Sequence, residues 1–110
     1  MNDDYLPLSA LDLPAAAAMV RRRYADLAQA HPTLVPIAPP ADLPDRLDHL
    51  RRHGAGAVVG TGDHCRGFVG GYHFDHRGVS TVHVPDWAHG LDDASLTRYG
   101  LLYRAAAKVW

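Results

Sequence analysis

The chain has 110 residues, of which 47% are hydrophobic and 21% are charged, and its formal net charge is -1. This length suits one small domain over residues 1–110, because such a chain can bury roughly two-thirds of its unfolded surface. The balanced charge provides no field for a phosphate backbone, so we expect no nucleic-acid partner. The longest apolar run, 14–20, is shorter than the roughly 20 residues that cross a bilayer, so we expect no membrane partner. The single cysteine, Cys65, favours a reducing, cytoplasmic location.

The first thirty residues predict a short strand followed by a helix. Asp4 to Leu8 is apolar enough for a strand, but Pro7 restricts it to an edge or a strand end. Asp12 before a proline in the first turn predicts an N-cap, and the helix should end near His31. Its predicted buried positions recur at three- and four-residue spacing: Leu13, Ala16, Ala17, Val20, Tyr24, Leu27 and Ala28. The basic run 21–23 is assigned to a solvated face of this helix.

Prolines dominate the next segment and predict an irregular, extended connection. They stand at positions 32, 36, 39 and 40, and the apolar residues between them should pack the loop against the core: Leu34, Val35 and Ile37. Asp42 repeats the capping pattern before a second helix. Leu43, Leu47 and Leu50 should line its buried face, and Gly54 should end it.

The second half changes to short strands separated by glycine-containing turns. We predict strands at 57–60, 65–74 and 79–84, joined by turns at 61–64 and 75–78. Asp92 or Asp93 should cap a last helix with these buried positions: Leu96, Tyr99, Leu102, Tyr103, Ala106, Ala107 and Trp110. The expected fold is α+β, with an antiparallel sheet of three to four strands and three helices in the order β-α-α-β-β-β-α.

This order, with three local motifs, resembles the N-terminal half of a GNAT-superfamily N-acetyltransferase domain. The motifs are the opening strand and capped helix at 5–14, the glycine-rich central strand 66–71, and the strand exit 82–89. The last is similar to GNAT-like proteins whose first domain is degenerate. The resemblance implies acetyl-CoA as cofactor, with its pantetheine arm paired to the backbone of Val82, His83 and Val84, and small residues in the central strand that let a ligand approach.

The segment that would hold the pyrophosphate departs from the family pattern. The family uses an R/Q-x-x-G-x-G/A loop whose amides bind the phosphates at a helix N-terminus. Residues 85–93 offer one glycine and no arginine, and place carboxylates at Asp86, Asp92 and Asp93. Each unit charge at about 4 Å from a phosphate costs about 1–4 kcal/mol. We therefore expect weak acetyl-CoA binding or none, and assign no catalytic residue.

The expected function is a substrate-side or scaffolding half-domain that does not catalyse acetyl transfer alone. The family's fifth strand and closing strands have no counterpart after Trp110. An unpaired outer edge on strand 79–84, with apolar Val82 and Val84, should be covered by a partner. That partner is expected to be the C-terminal half, a second GNAT domain, or another copy of the chain. The last possibility defines an alternative function, a non-enzymatic module that dimerises through this edge.

A second alternative is a metal-binding protein, because the chain has eight histidines. The candidate ligands are His73, Asp75 and His76, with His64, Cys65 and His83 on neighbouring strands. On a strand, His73 and Asp75 share a face, whereas His76 falls in the predicted turn. Zinc needs three or four converging ligands, so solvated histidines are the favoured interpretation.

The remaining candidate functional residues are two possible nucleophiles and the two tryptophans. Cys65 follows a turn beside Arg66, which would lower its pKa if the thiol were exposed, but a lone cysteine is more often a buried small hydrophobe. Ser80-Thr81 lies beside His83 without any further catalytic motif. Trp87 and Trp110 are expected to be packing anchors.

Overall fold

The computed structural model describes residues 4–31, 38–61, 64–92 and 96–110. Within these ranges the chain is α+β, with three α-helices and an antiparallel sheet. The strands are β1 (Asp4–Pro7), β2 (Ala55–Thr61), β3 (His64–His76), β4 (Val79–His83) and β5 (His89–Leu91). The helices are α1 (Leu13–Ala30), α2 (Leu43–His53) and α3 (Leu96–Ala107), and a short 3₁₀ turn, Leu8–Ala10, follows β1.

β3 is the central strand, and its neighbours are arranged in the order β1-β2-β3-β4. Along the edge of β3 that faces away from β2, residues 72–76 pair with β4 and residues 67–69 pair with β5. Between them, the Gly70 N–H donates to the Ala88 carbonyl at 2.9 Å. β4 and β5 thus form one interrupted strand beside β3. The sequence predicted a loop at residues 89–91, and the prediction is wrong because these residues form β5.

The helices cover both faces of the sheet because successive strand residues point in opposite directions. Val58 and Phe68 point toward α1 and α2, whose buried residues include Val20, Leu47 and Leu50. The neighbouring strand residues form a second core with α3: Ala57, Val59, Val69, Leu91, Leu102 and Ala106. The expected α+β class is confirmed, and its helices lie in two layers.

The two predicted helix caps differ in outcome. The Ala15 N–H donates to Asp12 Oδ1 at 3.3 Å, which confirms Asp12 as the N-cap of α1. Asp42 stands at the N-cap position of α2, but its side chain accepts no capping bond. Its backbone lies at φ -97° and ψ 29°, outside the extended region typical of N-caps, and its carboxylate pairs with Arg46 Nε at 2.7 Å instead. The predicted side-chain cap at Asp42 is wrong.

Burial along α1 and α3 corrects part of the periodicity argument. Met19 is buried although the sequence analysis left it out, whereas Leu27 is 37% exposed. α3 ends at Ala107, so Trp110 lies beyond the helix. The Trp110 indole N–H donates to the Ala55 carbonyl at 2.6 Å and its ring packs against the α3 core. This confirms Trp110 as a packing anchor, and half-buried Trp87 packs against the other core.

The hairpin of β3 and β4 is longer than predicted. Its turn contains only Arg77 and Gly78, with φ of 53° and 80°, as a two-residue type I′ turn requires. Asp75 and His76, assigned to the turn from the sequence, belong to β3, because only the next two residues take positive φ. Residues 73–80 are exposed, so both faces of the hairpin tip meet solvent.

Four sequence predictions fall outside what the structure describes: the packing of 32–37, the turn at 62–63, capping by Asp93, and burial of the Leu96 side chain. No helix in the described part of the chain combines the length and apolarity needed to cross a membrane.

Candidate functional site

The residues assigned to the pantetheine arm lie at the C-terminal end of β4 and just after it. Val82 pairs with His73 of β3 and His83 pairs with Tyr72, whereas Val84 lies just after the strand and packs, half-buried, between the two cores. In a hairpin with a two-residue turn, the residues flanking the turn form a hydrogen-bonded pair, and pairs alternate along the ladder. The backbone groups of Ser80 and Val82 therefore point away from β3.

Within its own sequence and register, β4 has none of the features that usually protect an edge strand. Natural edges carry lysine, proline, a bulge or a covering segment. β4 has the sequence VSTVH, which contains no proline and no lysine, and its register with β3 is regular. Its first residue, Val79, is 64% exposed. β1, the strand at the opposite side of the sheet, ends in Pro7. Among the described strands, β4 is the better template for an added strand.

Within residues 85–92, the loop after β4 already uses two of its backbone amides inside the chain. The Ala88 N–H donates to the Pro85 carbonyl at 2.9 Å, and the Asp92 N–H donates to the Arg66 carbonyl at 2.9 Å. Pro85 has no N–H, and the residues between Ala88 and Asp92 form β5. A pyrophosphate loop needs several amides aimed at one anion. At least two backbone amides that could bind a phosphate, those of Ala88 and Asp92, already donate hydrogen bonds within the chain.

The two loop carboxylates that the structure describes, Asp86 and Asp92, are paired with arginines. Asp86 Oδ1 lies 4.0 Å from Arg23 Nη1, the Arg23 guanidinium also donates to the Asp86 carbonyl, and the Tyr24 hydroxyl donates to the Asp86 carboxylate. Asp92 lies 3.3 Å from Arg66 Nε and 3.7 Å from Arg98 Nη1. These acids repel an anion less than isolated carboxylates would. They also occupy guanidiniums that a phosphate would need.

Arg23 contradicts the assignment of the basic run to a solvated face. Its side chain is 23% exposed, and its Nε is buried without an acceptor in the described part of the chain. The guanidinium lies 4.9 Å from the centroid of the Tyr24 ring. Burial, and then the hydrogen bond to Asp86, raise the pKa of Tyr24. Arg23 therefore joins α1 to the loop after β4.

A cleft of about 400 Å³ lies between α1, β5 and the start of α3. It is lined by Met19, Arg22, Arg23, Asp26, Leu91, Asp92 and Tyr99. Beside it, His89 Nδ1 lies 3.5 Å from the Tyr99 hydroxyl, a weak contact. Burial, reinforced by the positive charge of Arg23, lowers the pKa of His89 to about 4. Its imidazole is therefore neutral at pH 7. No short-range motif joins these segments, so the sequence analysis missed the cleft.

The glycines of the central strand make room for the chain's own side chains. A Cβ on Gly67 would lie 2.3 Å from Leu91 Cδ2, and one on Gly71 would lie 2.6 Å from Val82 Cγ1. A Cβ on Gly70 would lie 2.8 Å from Leu50 Cδ2. Close packing explains these small residues without a ligand.

The hairpin does not bring the proposed metal ligands together on one face. His73 and Asp75 alternate with His76 along β3, so His76 points to the other face. The described residues contain no group of three histidine, cysteine or acidic side chains placed to hold a metal ion.

The nucleophile candidates have local partners. Cys65 is half-buried and its thiol lies 3.7 Å from the Gly67 carbonyl, while burial raises its pKa. A raised pKa keeps the thiol protonated, opposite to what a nucleophile needs. The Thr81 hydroxyl donates to the Val79 carbonyl at 3.2 Å. The side chains of Ser80 and His83 lie on opposite faces of β4, so His83 is not placed to activate Ser80.

Comparison of the chain with protein-family models, with curated proteins and with solved structures found no match.

Proposed function

We propose that this chain is a GNAT-like N-acetyltransferase half-domain with a scaffolding role, whose sheet is extended by a further strand at the edge of β4. The order of helices and strands and the antiparallel sheet support this proposal. The observation that carries it is the edge of β4, where the backbone of Ser80 and Val82 points outward and Val79 is exposed. An edge strand without lysine, proline or a bulge favours pairing with another strand.

The contacts of the loop support a role that does not depend on acetyl-CoA. Ala88 and Asp92 use their amides within the chain, and Asp86 and Asp92 hold Arg23, Arg66 and Arg98. Binding a pyrophosphate there would break these contacts before new ones formed. The scaffolding role therefore belongs to the sheet and its edge.

Calorimetric titration with acetyl-CoA tests this part of the proposal. We expect no saturable heat with the intact chain. An Asp86→Asn and Asp92→Asn double variant, which removes both carboxylate charges, should also fail to bind, because the amides of Ala88 and Asp92 remain occupied. Saturable binding by the intact chain would contradict the proposal. Binding by the double variant alone would show that charge, and not the occupied amides, excludes the cofactor.

A second candidate function is a homodimeric interaction module, and the self-complementary edge of β4 favours it. Two copies of β4 can pair antiparallel about a twofold axis at Thr81. Ser80 of one copy then faces Val82 of the other, and these are the two residues whose backbone groups point outward. β4 carries no acidic or lysine side chain that would repel its own copy. The two candidates differ in whether the chain alone is a monomer.

Light scattering with matched variants at Ser80 separates these candidates. Ser80→Pro removes an outward-pointing N–H without removing a bond to β3, whereas Ser80→Ala changes only an exposed side chain. If β4 pairs with a second copy, the intact chain and Ser80→Ala are dimers and Ser80→Pro is a monomer. A concentration-independent monomer in all three refutes the homodimer and leaves the half-domain proposal standing.

A further inference from the structure

Two histidines one turn apart on α2 lie side by side. His49 and His53 have the i, i+4 spacing that places side chains on one face of a helix, and their ring centroids are 4.5 Å apart with planes tilted by 47°. Both residues are exposed. Paired imidazoles at this spacing are a common way for one helix to supply two ligands to a transition metal.

Tyr72 of β3 fixes the ring of His49. The Tyr72 hydroxyl lies 2.8 Å from His49 Nδ1, and the two ring centroids are 5.6 Å apart. The Tyr72 hydroxyl oxygen can accept a hydrogen bond from the Nδ1–H of His49. In that tautomer Nε2 of His49 carries the lone pair that a metal requires. A hydrogen bond to the second ring nitrogen is the usual support of a metal-binding histidine.

The charges of the last helical turn do not exclude a cation. Arg51 and Arg52 precede His53, and both are paired with Asp48 at 2.9 Å and 2.7 Å. His53 is the last residue of α2, where unpaired carbonyls carry partial negative charge. A cation held by His49 and His53 is therefore close to the favourable end of the helix dipole.

We propose that His49 and His53, with Tyr72 orienting His49, form a binding site for a late first-row divalent metal ion. The chain supplies two imidazole ligands and water completes the coordination. Imidazole suits copper, nickel and zinc, and the general order of stability places Cu²⁺ above Ni²⁺ and Zn²⁺. The site is separate from the hairpin histidines and from the edge of β4. It depends on neither candidate function.

Titration of untagged protein with Cu²⁺, by calorimetry and electron paramagnetic resonance, tests the site. We expect one Cu²⁺ per chain with two nitrogen ligands, weaker binding of Zn²⁺, and none of Mg²⁺. His49→Ala and His53→Ala should each remove the two-nitrogen signal. Tyr72→Phe should weaken binding about 10- to 100-fold while keeping both nitrogens, as expected for a positioning residue.

His73→Ala and His76→Ala are the matched controls, because both remove an exposed histidine from the hairpin. They should bind Cu²⁺ as the intact chain does. Circular dichroism of each variant checks that α2 remains folded. If His49→Ala and His53→Ala bind Cu²⁺ like the intact chain, or if the hairpin variants lose as much affinity, the site is refuted.

Discussion

Replacing His89 should remove a specific part of the acid sensitivity of this fold. The imidazole lies half-buried between Arg23 and Tyr99, and burial lowers its pKa from 6.5 to about 4. The unfolded chain therefore binds a proton more readily than the folded chain does. Stability is fully present above about pH 6.5 and falls as the pH decreases toward 4.

The magnitude follows from the difference between the two pKa values of His89. A tenfold change in proton affinity is worth about 1.4 kcal/mol, so the difference between pKa values of 6.5 and about 4 sets an upper limit of about 3.5 kcal/mol. Because the ring is only half-buried, solvent screening reduces the expected loss to about 1–2 kcal/mol. The His89→Gln variant has no titratable side chain at this position, so it should lack this loss of stability at low pH.

Urea unfolding at pH 7 and pH 4.5 measures the effect directly. Between pH 7 and pH 4.5, the free energy of unfolding should fall by about 1–2 kcal/mol more in the intact chain than in His89→Gln. The comparison cancels the losses that both proteins share. His73→Gln, a variant of an exposed hairpin histidine, should follow the intact chain. Equal losses in the intact chain and His89→Gln would refute the assignment of this sensitivity to His89.

Three further substitutions test the packing. Gly56→Ala places a Cβ 2.0 Å from the Val69 carbonyl oxygen, so thermal unfolding should show a loss of about 2–3 kcal/mol, and an unchanged midpoint would contradict the close approach of β2 and β3. Gly100→Ala, with nothing within 4 Å, should stabilise α3 by about 0.5–1 kcal/mol in the same assay, and a loss would indicate a contact that the structure lacks. Tyr24→Phe removes the hydrogen bond to Asp86 and should cost about 1–2 kcal/mol by urea unfolding, whereas no change would show that this bond is not formed in solution.

Local signals account for the parts of the fold that the sequence predicted. Asp12 and the proline after His31 delimit α1, and its structural end at Ala30 agrees with them. Gly54 likewise ends α2. These features act on the backbone within one or two residues, so they can be read without knowledge of the tertiary structure.

The missed features depend on tertiary contacts. β5 has three residues, too few to show alternation, and it forms because Gly67 to Val69 of β3 offer it a free edge. Arg23 contacts Asp86 across 63 residues of sequence, so no spacing could reveal that pairing or the cleft beside it. The His49 and His53 pair is different. Its four-residue spacing is visible in the sequence, although only the histidines in and near the hairpin were predicted as metal ligands.

Hydrogen exchange at the edge of β4 shows whether this edge is open or paired with another strand. The amides of Ser80 and Val82 point away from β3 and should exchange rapidly when the edge is open, whereas those of Thr81 and His83 are protected by β3. When a partner strand is present, as a second copy at high concentration or as a completing segment, the amides of Ser80 and Val82 should become protected while Thr81 changes little. If both edge amides are already protected in a dilute monomer, or stay unprotected in every assembly, β4 is not the edge through which this chain is completed.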